Sequence, residues 1–145
     1  MSSNQLGFTP KNLDFGSDAQ EKLIKGIKKM ANAVKSTLGP SGNTVLIESP
    51  HHTHGITVTK DGVTVAKSID LLDPVENLAV RMMREAADRT ATTAGDGTTT
   101  SIVLTEALVS SGMMLLNASP EVSRVDVFRH MVSLTDGVVA SLKKK

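Results

Sequence analysis

Apolar residues recur at helical spacing through most of this chain and at strand spacing in a few short stretches. Residues 1–10 are polar and without a period, and read as a flexible arm. Lys11 to Phe15 alternates, with Leu13 and Phe15 on one side, which predicts a single short strand in need of a partner. From Ser17 the period becomes helical: a Ser17/Gln20 capping pair opens it, and Leu23, Ile24, Ile27, Met30, Ala31, Val34 and Leu38 share a face. Lys25, Lys28, Asn32 and Lys35 fall opposite and read as a solvated face, and Gly39-Pro40 stops the helix.

Thr44–Glu48 and Ile56–Thr59 are β-branched runs that predict a hairpin with a long tip, and Val63–Ile69 reads as a third run after the turn Lys60-Asp61-Gly62. Asp73-Pro74-Val75-Glu76 is a helix start with Asp as N-cap and Pro at the first helical position; Val75, Leu78, Ala79, Met82, Met83 and Ala86 carry it on. A further helix is predicted over about Thr98–Leu116. A last one starts at Ser119-Pro120-Glu121, with Val122, Val125, Phe128, Met131, Val132, Thr135, Val138, Val139 and Leu142 as its buried face. The expected fold class is mainly α: about four long amphipathic helices, a small β-hairpin and an N-terminal strand.

Composition narrows the function. At 145 residues the chain suits one domain, and 39% hydrophobic with 21% charged residues is ordinary for a globular protein. With no cysteine, disulfide and thiolate chemistry are excluded. A net charge of +1 and only three aromatics, Phe8, Phe15 and Phe128, disfavour a nucleic-acid partner. The N-terminus shows no targeting pattern and no apolar stretch reads as long enough for a bilayer, so no membrane partner and a cytoplasmic location are expected.

The richest chemistry lies in Gly95-Asp96-Gly97-Thr98-Thr99-Thr100. Two glycines let backbone approach a ligand, and the free N–H groups of a helix's first turn favour an anion. Asp96 would repel a bare phosphate, so a divalent cation between them makes Mg-nucleotide the expected ligand. The competing reading is a simple turn, with Asp96 bonding its own backbone and Thr98 or Thr99 capping the helix. Thr37-Leu38-Gly39-Pro40 and Lys60-Asp61-Gly62 add two more glycine turns, each ordinary punctuation alone, which together with the first could surround one triphosphate. The Gly-x-x-x-x-Gly-Lys-Ser/Thr and Gly-x-Gly-x-x-Gly patterns do not occur. His51, His52 and His54 in the hairpin tip lack a cysteine or carboxylate donor nearby and read as a solvated loop. Met82-Met83 and Met113-Met114 read as helix packing, and no Ser/His/Asp arrangement emerges.

Asn12-Leu13-Asp14-Phe15-Gly16, Ala33 to Asn43, Ile56 to Val63 and Ala94 to Thr100, taken in this order, closely resemble a group I (GroEL-type) chaperonin, in register over about Lys11 to Lys145. The resemblance implies the N-terminal half of an equatorial, ATP-binding domain, residues 11–145. It implies that Thr37, Leu38, Gly39 and Pro40 line the nucleotide, that Lys60, Asp61 and Gly62 reach its phosphate end with Asp61 in a supporting catalytic role, and that Asp96 ligands Mg2+. Gly95, Gly97, Thr98, Thr99 and Thr100 would hold phosphates. ATP and Mg2+ are the implied cofactors, with K+ as a further family cation. Like subunits in a ring are the implied partners, the hairpin pairing with a neighbour's terminal strand of the Lys11–Phe15 type. Because nothing follows Lys145, the intermediate and apical domains are expected to be absent, and with them the contacts to non-native clients and a cochaperonin. Two functions follow: an ATP-dependent folding machine, and a non-catalytic module that self-associates or inserts into rings of a longer chaperonin.

Overall fold

The computed structural model describes residues 12–48 and 55–144. The chain runs α1 (Gly16–Lys35), β1 (Val45–Glu48), β2 (Ile56–Thr59), α2 (Gly62–Ser68), α3 (Pro74–Ala94), α4 (Thr98–Ala118) and α5 (Arg124–Leu142). The histidine-bearing tip and the arm through Lys11 lie outside the described residues. α1, α3 and α4 pack on one another, and α2 wedges against α1, α4 and β1. Their shared core is Met30, Ala31 and Val34 of α1, Val65 and Ala66 of α2, Val80, Met83 and Ala87 of α3, and Ile102 of α4.

The hairpin pairs antiparallel, with Val45 opposite Thr59 and Leu46 opposite Val58. Val45 and Ile47 pack toward the core while Leu46 and Val58 face out, the alternation expected of a sheet with one covered face. Residues 12–15 form no ladder among the described residues, although Phe15 is extended at φ −131° and ψ 164°.

α3 starts as the sequence predicts. Asp73 Oδ1 accepts the N–H groups of Val75 and Glu76, and Pro74 occupies the first helical position, where its missing N–H costs nothing. Four other expectations are corrected. Val63–Ile69 is helix α2 rather than a strand, because Asp61 caps it and Val65 and Ala66 then fall on the core face; tertiary packing overrides β-branched propensity. α1 begins at Gly16 with Phe15 as N-cap, and the Ser17 hydroxyl turns to Asp18 instead of capping. It ends at Lys35, where Ser36 and Thr37 return their hydroxyls to the carbonyls of Ala33 and Val34, leaving Leu38 off the buried face. α5 starts at Arg124 under a Ser123 cap, since Ser119 is taken up in closing α4.

The predicted buried face of α5 is exposed: Val127, outside the predicted set, is its one buried residue, while Phe128 is 67% exposed. Periodicity shows that a face wants a partner and does not supply one. α4 also overturns the expectation about apolar length, for its 21 residues, with mean hydropathy 1.4 over the best window, are long and apolar enough to cross a membrane. α4 packs on α1 and α3 and its Glu106 pairs with Lys35 at 2.6 Å, yet only 11% of that window is buried.

The lysine face of α1 is only partly solvated. Lys35 is tied to Glu106 as above, and Lys25 reaches Glu76 of α3 at 3.4 Å beside the closer Lys29. The Glu76 side chain is buried, and the hydrogen bond from Lys29, with the charges of both lysines, holds its carboxyl below the usual range. A carboxylate whose folded value is depressed stabilises the fold fully above its unfolded value, and the contribution is lost as pH falls through the folded one. Glu76→Gln is therefore expected to flatten the acid side of the stability profile. Urea midpoints measured from about pH 6 down to about pH 3 should fall less steeply in the variant; identical slopes would refute the assignment.

Candidate functional site

Three connections carry the candidate residues, and the packing of α1, α2 and α4 brings them to one place. The marker is Gly62. A Cβ built there would lie 2.4 Å from Thr99 Oγ1 and 3.1 Å from Thr37 Oγ1, so residues from all three turns meet around a position that tolerates no side chain. Thr37 belongs to the turn after α1 and Thr99 to the first turn of α4. Leu38, Gly39 and Pro40 follow Thr37 into solvent on the exposed rim, and Lys60 is exposed with no ion pair among the described residues.

The turn from α3 into α4 shows why its glycines are required. Gly95 adopts φ 79° as it closes α3 on the Ala91 carbonyl, and Gly97 adopts φ 95° as the N-cap of α4, both in the left-handed region costly for other residues. Gly97 brings no capping side chain, and neither Thr98 nor Thr99 supplies one, so the capping reading of these threonines does not hold. The first-turn N–H groups therefore keep their capacity to bind an anion, reinforced by the helix dipole. Thr98 is buried, Thr99 half-buried and Thr100 exposed, giving that turn a fixed base and an open front. Asp96 is exposed beside it, and its Oδ1 accepts the Gly97 N–H at 2.6 Å.

Asp61 is held differently. Its Oδ1 accepts the Val63 N–H at 3.1 Å, and its Oδ2 accepts the Thr64 N–H at 3.0 Å and the Thr64 hydroxyl at 2.6 Å. The Thr64 hydroxyl, helped by those backbone groups and by Lys67, holds the Asp61 carboxyl below the usual range. The Thr59 hydroxyl accepts the Asp61 N–H at 3.0 Å and fixes the turn from the other side. Thr59 and Thr64 were not among the predicted site residues; the Asp61/Thr64 spacing, an N-cap and its third helical residue, was the signal that could have found Thr64.

Among the described residues no group of three or more His, Asp or Glu could hold a metal by protein ligands alone. Asp96, exposed beside the first turn of α4, is the carboxylate that could hold a cation there.

The model of the TCP-1/cpn60 chaperonin family matches residues 30–145, and this chain belongs to that family. Among solved structures, it is similar to the chaperonin gp146 from the bacteriophage EL 2 (Pseudomonas aeruginosa), crystallised in the presence of ATP-BeFx. One crystal form aligns at 43% identity with a TM-score of 0.59, and a second at 43% with 0.58. Each match covers 64% of this chain and 16% of that one, so the chain spans a small part of the length of that relative.

Proposed function

We propose that this chain supplies the phosphate and Mg2+ side of the nucleotide site of an ATP-dependent chaperonin subunit, one that assists the folding of non-native proteins within a ring of like subunits. The observation that carries the reading is the meeting of Thr37, Gly62 and Thr99. Three turns from distant parts of the sequence converge there beside an uncapped helix start, which an isolated structural turn would not require. The family membership and the ATP-BeFx in the similar phage chaperonin support it.

In this arrangement the N–H groups and hydroxyls of Thr98, Thr99 and Thr100 receive phosphate oxygens, and Gly97 lets them approach the backbone. Thr37 to Pro40 form the rim along the nucleotide, and Lys60 places a cation at its phosphate end. Mg2+, when bound, would shield the phosphate charge and fix its geometry. Asp96 would hold it. Asp61, kept ionised, would orient a water in a supporting role. The exposed apolar faces of α4 and α5 favour a second reading, an interaction module that joins other chains.

Asp96→Asn separates the metal role from a turn role. Asparagine keeps an Oδ1 acceptor for the Gly97 N–H and tolerates the turn, while the charge that would bind the cation is lost. Calorimetry with Mg-ATP is expected to show affinity reduced by about tenfold or more, as for a lost charged contact, with the unfolding midpoint unchanged. Equal Mg-ATP affinity in the variant would overturn the assignment.

A further inference from the structure

We propose that Thr64 is a positioning residue for Asp61: its hydroxyl fills Oδ2, so that Asp61 meets the nucleotide site through Oδ1 alone. A carboxylate offers about four acceptor positions. Three are taken, two on Oδ2 by the Thr64 N–H and hydroxyl and one on Oδ1 by the Val63 N–H. The one left open belongs to Oδ1.

Capping α2 does not require the hydroxyl. The N–H groups of Val63 and Thr64 already supply the donors that an N-cap carboxylate accepts, and a valine at position 64 would retain both. The hydroxyl adds a third donor at 2.6 Å, the shortest of the set, and so holds the plane of the carboxylate in one orientation, with its open acceptor position in one place. The Asp61 backbone is pinned by Thr59, and the next residue, Gly62, is where Thr37 and Thr99 approach too closely for a side chain, so the residue is fixed next in sequence to the point where the three turns meet. Lys67, on the same helix and paired with Asp88 at 4.0 Å, adds charge near Asp61 without fixing the orientation of its carboxylate. The importance of this to catalysis rests on the nucleotide-site reading of Asp61; the positioning itself does not.

The test compares Thr64→Val, which keeps shape and deletes the hydroxyl, with Thr64→Ser, which restores it, in protein labelled with 13C at aspartate carboxyls. Thr64→Val is expected to raise the Asp61 titration midpoint toward the ordinary carboxylate range and to average its side-chain rotamers, while Thr64→Ser behaves as the wild type. Thr64→Ala repeats the deletion if valine disturbs folding. An Asp61 midpoint and rotamer population unchanged in both deletion variants would overturn the proposal. If the Asp96→Asn calorimetry failed, the nucleotide reading would fall, and the carboxyl measurement would still decide the role of Thr64.

Discussion

Gly26→Ala is expected to destabilise the protein by about 3 kcal/mol, the upper end for an overpacked contact. Helix propensity alone predicts the opposite sign, since alanine inside a helix is favoured over glycine by roughly 0.5–1 kcal/mol. The close crossing of α1 and α3 reverses it. A Cβ at position 26 would lie 2.3 Å from the Glu76 carbonyl oxygen and 2.9 Å from its carbonyl carbon and Cα, all of them backbone. That backbone is the capped first turn of α3, so no rotamer change relieves the clash and the helices must separate. Gly137→Ala is the matched control, also mid-helix with nothing within 4 Å of its added methyl. It should gain roughly 0.5–1 kcal/mol. Urea unfolding of the two variants reads both signs. A Gly26→Ala protein as stable as the wild type would show that the helices do not cross at this distance.

The second large effect concerns association. Leu104, Leu108 and Leu115 lie along one face of α4, and Val125, Phe128, Val132 and Val139 along one face of α5, all at least 42% exposed. Leu13 and Phe15 are 68% and 78% exposed at an extended segment, and Leu46 and Val58 cover the outer side of a sheet that has two strands among the described residues. Burying one such side chain is worth roughly 1.5–3 kcal/mol. A few of them offset the entropy of association. Sedimentation is expected to show self-association at micromolar concentration, shifted toward monomer by Phe128→Lys on α5 or Leu46→Lys on the sheet. Leu46 is the better probe than Val45, which packs on the core and would report unfolding as well. A monodisperse monomer, unaffected by either change and indifferent to an added full-length chaperonin, would refute the interaction-module reading.

Local chemistry was legible where it acts through neighbours in sequence. Asp73-Pro74 announced α3 because an N-cap and the residue after it need only their own helix, and Gly95 and Gly97 marked a turn because left-handed backbone is written in residue type. Val63-Thr64-Val65 was misread for the converse reason. Its β-branched composition favours a strand, and only the Asp61 cap together with a core contributed by α1, α3 and α4 makes a helix the better state. The α5 pattern was legible as amphipathic and misleading as burial. A period describes a face without saying whether anything lies against it.

By itself the sequence determined the mainly helical class, the Asp73 cap of α3 and the glycine turn between α3 and α4, since these follow from side-chain period and from the backbone conformation each residue type allows. The tertiary structure alone decided that the three turns meet at Gly62, that Glu76 is buried under two lysines, and that the faces of α4 and α5 stay open. The meeting at Gly62, the burial of Glu76 and the open faces depend on helix crossings between segments far apart in the chain. Close approach there is set by packing geometry in three dimensions, which no spacing along one strand of sequence encodes.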